Sequence, residues 1–145
     1  MNVITSGAPM EIVVIGLQPG EMLLESITQA VREHGIENGV VISGIGTLKR
    51  CHMHFIEHTE FPSRDRFYTV EKPLELLSVS GVIAEGEPHL HVVVSCKDQE
   101  VYAGHLEESS EVAYLAEIAV LKCNALRLAR HLDPTRKIRL LGRKA

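Results

Sequence analysis

Residues 87–106 constrain this chain more than any other stretch. Leu90, Val92 and Val94 alternate with His89, His91, Val93 and Ser95, the period-two pattern of a strand with one apolar face. A short polar gap separates them from Ala103, Gly104, His105 and Leu106, so the segment reads as a β-hairpin. Alternate residues of a strand face the same side about 6.6–7 Å apart. His89 and His91 therefore aim two imidazoles at one point, and a third histidine on the neighbouring strand would complete a metal site.

Loop length decides whether His105 is that third ligand, because a one-residue slip turns every side chain to the opposite face. A two-residue turn at Asp98 and Gln99 pairs residue 91 with 106 and sends His105 away. A three-residue loop of Lys97, Asp98 and Gln99 instead sets Cys96 against Glu100 and His91 directly against His105. Such loops commonly combine a type I turn with a left-handed third residue, a conformation that costs a non-glycine residue about 1 kcal/mol. The metal reading thus predicts a positive φ at Gln99.

Three imidazoles leave the fourth tetrahedral position of zinc open to water, a carboxylate or a substrate. Zinc is therefore the default ion, although nickel, copper and iron also favour imidazole. The plainer alternative makes these surface or interface histidines bonded to backbone, since eight histidines in 145 residues readily produce a His-x-His pair by chance. The chain holds a second such pair, His52 and His54, with His58 further on. On a continuing strand His58 would lie about 13 Å beyond His54. No hairpin partner histidine is evident there, so this cluster reads as a solvated or interface face.

The length suits one domain over residues 1–145, large enough for a core. Hydrophobic residues make up 45% but aromatics only 4%, with no Trp, so Val, Ile, Leu and Ala must build the interior. Fifteen Lys and Arg against nineteen Asp and Glu leave a net charge of −4. That balance argues against sequence-independent nucleic-acid binding, which depends on neutralising phosphates. Three cysteines, Cys51, Cys96 and Cys123, follow no Cys-x-x-Cys spacing and suggest a reducing compartment. Neither a signal peptide nor a membrane-spanning run is visible, so the protein is expected to be cytoplasmic.

Along the chain, residues 11–17 form a β-rich run closed by Gln18, Pro19 and Gly20. Met22, Leu23, Leu24, Ile27, Ala30 and Val31 then follow helical spacing over residues 21–34, and Gly35 is a C-terminal stop. Residues 40–48 read as a strand with Gly44 and Gly46. A dinucleotide-binding turn is disfavoured there because position 49 is Lys and no helix opens, so the glycines mark a bulge or a close backbone approach. Strands are expected over residues 66–70 and 74–83. Residues 111–132 are ambiguous: Val112, Leu115, Ile118, Ala119 and Leu121 suit a helix, while the dense apolar run over 112–121 suits a doubly buried strand. Glu117 lies inside that run, where a carboxylate is either on a wet face or needs a partner or a proton. Pro134 ends the segment and a basic tail follows from Arg136.

An ordered set of motifs now resembles a known family, the plants and prokaryotes conserved (PPC) domain. It runs from Gly16-Leu17-Gln18-Pro19-Gly20-Glu21 through Ser43-Gly44-Ile45-Gly46 and Ser78-Val79-Ser80-Gly81 to Pro88-His89-Leu90-His91 and Gly104-His105-Leu106. The resemblance implies an α/β (α+β) fold, a mostly antiparallel twisted sheet with a covering helix, assembled as a homotrimer. It also tips residues 112–121 toward strand and suggests a divalent metal, zinc-like, at His89, His91 and His105. This chain has Asp98-Gln99 where the family usually has Asp-Gly. Plant relatives add an Arg-Gly-Arg-Pro hook for AT-rich DNA that is absent here, so the family's DNA-binding label transfers poorly.

The leading expectation is a trimeric metal-binding protein whose site lies near a subunit boundary. Whether it is an enzyme is not readable; if it is, a metal-acidified water makes hydrolysis the natural chemistry, with Glu117 as a weak candidate for proton carrier. A nucleic-acid-binding or regulatory module is the second class, using Arg127, Arg130, Arg136, Lys137, Arg139 and Arg143 as a basic face. A small-molecule binder using a cleft between subunits is the third.

Overall fold

One strand of nineteen residues, β2 (Asn38–Ile56), organises the molecule. The computed structural model describes every residue except Asp98. In chain order it contains β1 (Glu11–Leu17), α1 (Leu23–Glu33), β2, β3 (Asp65–Val70), β4 (Leu74–Ala84), β5 (Glu87–Ser95), β6 (Val101–Leu106) and β7 (Glu111–Lys122). A 3-10 turn at Asn124–Leu126 then leads to β8 (Leu128–Leu132) and β9 (Arg139–Arg143).

The seven-stranded sheet runs β1-β7-β2-β4-β5-β6, every pairing being antiparallel, and β3 joins it through β2. Because β2 is so long, its first part pairs with β4 and β7 while its last residues pair with β3 and β6. Pairing of β2 with β6 curls the sheet back on itself. The expected bulge near Gly44 and Gly46 is present, as register shifts between β2 and β7 on both sides of the glycines. At Gly46 a Cβ would run into the Leu115 carbonyl and the Ala116 backbone, at a φ of 149°. A side chain there would push β2 off β7.

Alternation fixes what lies inside. Leu90, Val92 and Val94 of β5 are buried together with Leu48 and Met53 of β2, Leu76, Val79 and Ile83 of β4, Leu106 of β6 and Ile118 of β7. Helix α1 adds Leu23, Ile27 and Val31. These three fall at i, i+4 and i+8 and make one apolar stripe. Glu25 in the first turn and Arg32 in the last complement the helix dipole, and Gly35 takes the positive φ of 57° that ends it. Truncating a side chain such as Ile27 to Ala would cost about 2–5 kcal/mol.

The helix alternative over residues 111–132 is overturned. Residues 111–122 are strand β7, because buried Val112, Ala116, Ile118 and Val120 fill the gap between β1 and β2. Tertiary pairing on both edges outweighs local helix propensity. The basic tail forms β9, paired with β8 as a separate two-stranded sheet. Among the described residues, no helix is long and apolar enough to cross a membrane.

Candidate metal centre

The β5–β6 loop settles the register. Cys96 N–H donates to the Glu100 carbonyl at 3.1 Å and Gln99 N–H to the Cys96 carbonyl at 2.9 Å, which closes a three-residue loop. Gln99 has a φ of 60°, as expected, while Asp98 lies outside the described residues. His91 stands directly opposite His105.

The row continues on both sides. On β2, His54 is the direct partner of His105, and on β4, Ser80 is the partner of His91. His54, His105 and His91 thus form a cross-strand ladder over β2, β6 and β5, with His89 two residues from His91 on the same face. Ring centroids are 4.8 Å apart for His89 and His105, 5.5 Å for His91 and His105, and 5.6 Å for His89 and His91. One ring nitrogen from each of His89, His91 and His105 lies within 4.8 Å of the others. A tetrahedral ion with bonds of about 2.05 Å needs donors about 3.4 Å apart. Reaching that spacing requires ring rotations, for which partly exposed side chains leave room.

Burial keeps two of the rings neutral. His105 is held down to about 4, first by burial and then by the neighbouring His54 and His89. Burial also lowers His89, helped by the Arg130 guanidinium and by His91 and His54. A neutral imidazole has a free lone pair for a metal, so near neutral pH these two rings are in the ligating form. Arg130 opposes a cation beside His89. Glu107 acts the other way, with its Oε1 4.0 Å from His105 Nε2. The donor set, three imidazoles on a partly open face, fits zinc and other imidazole-seeking divalent ions.

Close approach of β2 and β6 requires Gly104. A Cβ at that position would lie 2.6 Å from the His54 carbonyl oxygen, so any side chain would drive the two histidine-bearing strands apart.

The second histidine cluster divides. His54 joins the site, stacked on His105 at 4.4 Å between centroids, which corrects the expectation that it lacked a histidine partner. Its Nδ1–H donates to Glu107 Oε1 at 2.6 Å. His52 instead donates from Nδ1 to the Glu108 carbonyl at 3.0 Å and faces Phe67. His58 lies beyond the end of β2. Sequence reasoning missed His54 and Glu107 because a 51-residue separation hides the β2–β6 pairing. The available signal was the identical His-x-His spacing on two strands. Glu117 is exposed on β7, opposite Gly16 and Ile45, and belongs to neither group of prospective ligands among the described residues.

Comparison with known proteins follows the same lines. Residues 4–124 match the Plants and Prokaryotes Conserved (PCC) domain. The metal-containing protein from Archaeoglobus fulgidus superposes with a TM-score of 0.80 at 26% identity, covering 97% of this chain and 98% of that one. A protein from Ralstonia eutropha, provisionally described as DNA-binding, has a TM-score of 0.73 at 25% identity, with 89% of each chain covered. Among curated relatives, the bifunctional protein GlmU of a Synechococcus strain is 27% identical over 118 residues, 81% of this chain and 18% of that protein. The chain spans less than a fifth of the length of the curated relatives it matches.

Proposed function

The chain belongs to the Plants and Prokaryotes Conserved domain family, and from that premise we propose that it binds a divalent metal ion, zinc by default, through His89, His91 and His105. The observation that carries this reading is the convergence of three imidazoles from two adjacent strands, two of them held neutral by burial. Similarity to a metal-containing archaeal protein supports it. Such an ion supplies Lewis acidity and lowers the pKa of a water it binds. The chain's own contribution is to hold three rings on a rigid sheet.

The unit is residues 1–145 acting as one domain, assembled as a homotrimer. An uncovered apolar face supports the assembly: Ile12 and Val14 on β1, Ile42 and Ile45 on β2, Leu77 on β4 and Leu115 on β7 are each about half exposed or more. Burying such a face stabilises association by roughly 25 cal/mol per Å². His91 and Val93 lie on the same outer side of β5, so the metal site falls near a subunit boundary. Sedimentation at micromolar concentration should give a trimer; a monomer would contradict the assembly.

Metal analysis of protein purified without chelating resin tests the function. Wild type should carry about one ion per chain, and His91→Ala should lose it. Equal zinc content in both would refute the reading.

DNA binding is the second reading, favoured by the description of the Ralstonia eutropha neighbour. Arg127, Arg130, Arg136, Lys137, Arg139 and Arg143 gather on and around β8 and β9. Three of these cations are already engaged, Arg136 with Asp133 at 2.8 Å, Arg139 with Glu87 at 3.5 Å and Arg127 with the Ala145 backbone oxygen at 2.8 Å. Duplex binding that weakens steeply with added salt would support this reading.

A further inference from the structure

We propose that His54, His105 and Glu107 form a second seat for a divalent ion, distinct from the three-histidine seat in donor chemistry and sharing His105 with it. The three side chains come from the place where β2 closes onto β6. His54 and His105 are direct cross-strand partners, and Glu107 follows β6, anchored by its N–H to the His52 carbonyl at 3.0 Å. One donor atom from each lies within 4.8 Å of the others. Their side chains are partly sheltered, His54 at 17%, Glu107 at 25% and His105 at 27% exposure.

The contacts have the polarity a metal ligand set needs. His54 Nδ1 meets Glu107 Oε1 at 2.6 Å, and His105 Nε2 meets the same oxygen at 4.0 Å. Octahedral bonds of roughly 2.1 Å put neighbouring donors about 3.0 Å apart. An ion replacing the shared proton therefore needs the first pair to part slightly and the second to close by about 1 Å. The other ring nitrogen of His54, Nε2, faces Asp65 Oδ2 at 3.9 Å. A carboxylate accepting the far N–H of a ligating histidine fixes its tautomer and orientation, and Asp65 takes that role once it closes by about 1 Å to hydrogen-bond distance.

Donor type separates the two seats. His89, His91 and His105 offer three neutral nitrogens, a set suited to zinc, copper or nickel. His54, His105 and Glu107 offer two imidazoles and one anionic oxygen, a set that takes the harder manganese or ferrous ion more readily. Both draw on the His105 ring, and two dications this close repel, so the seats are alternatives whose occupancy follows the ion supplied.

The inference uses the same histidine cluster as the proposed function but does not require zinc at the first seat. Zinc and manganese affinities are measured by equilibrium dialysis on metal-stripped wild type, Glu107→Gln and His91→Ala, with Glu108→Gln as an exposed neighbouring control. Circular dichroism melts confirm folding. Glu107→Gln should weaken manganese by at least the roughly tenfold that even an outer partner contributes, while leaving zinc within a few-fold. His91→Ala should do the reverse, and Glu108→Gln neither. Parallel losses of both ions in each variant, or manganese binding abolished by His91→Ala, would overturn the second seat. Wild type that binds no zinc but loses manganese on Glu107→Gln would refute the first seat and uphold the second.

Discussion

Strands β5 and β2 each carry two histidines one residue apart, yet the two pairs have different fates. On β5, both His89 and His91 join the cluster. On β2, His54 stacks on His105 while His52, on the same strand face, bonds the Glu108 carbonyl and packs near Phe67. Spacing alone makes the pairs equivalent. What separates them is the other histidine of each pair: β6 pairs with one residue of each, His91 and His54, but the His105 ring also comes within 4.8 Å of His89, whereas His52 is taken up by the Glu108 carbonyl. A metal site on a sheet is thus set by which rings reach the residue on the shared strand, and spacing along one strand does not decide it.

Removing one histidine from each strand is the sharpest way to break this comparison. His91→Ala should abolish stoichiometric zinc, whereas His52→Ala should retain it, as read by elemental analysis. Gly104→Val comes next. Its side chain would collide with the His54 carbonyl, and forced overpacking of this kind costs about 1–3 kcal/mol. The melting temperature should fall by about 2–4 °C for each kcal/mol, with zinc lost as β6 moves off β2.

A smaller effect is the pH dependence of the metal-stripped protein. His105 is held near 4 in the fold, below its ordinary value of 6.5, so the unfolded chain binds its proton first. Stability from the neutral ring is complete above about 6.5 and is lost as pH falls toward 4. Melting temperature should therefore drop more steeply over that window in wild type than in His105→Gln; parallel curves would contradict the burial argument. The smallest effect is His52→Ala on stability. Loss of its exposed hydrogen bond should cost no more than about 1 kcal/mol by chemical denaturation.

Local features of the chain were legible and distant ones were not. The hairpin at residues 87–106 could be read and its register narrowed to two choices, because loop length and the φ at Gln99 that tells them apart are short-range properties. Helix α1 and strands β1, β3 and β4 follow from periodicity. The segment from Glu111 was ambiguous, since Ala, Leu and Glu favour a helix locally and β7 exists through pairing on both edges with β1 and β2. His54 and Glu107 were invisible for the related reason that β2 reaches β6 across about a third of the chain. Glu117 was left open between a wet face and a partnered site, and strand alternation turns it outward between Ala116 and Ile118.

Anomalous scattering at the zinc edge, from crystals of native protein that has never met a chelating resin, tests the central claim most directly. The account predicts one peak bounded by the imidazoles of His89, His91 and His105. Native crystals without a peak among these rings, or with the His105 ring turned to the inner side of the sheet, would contradict it.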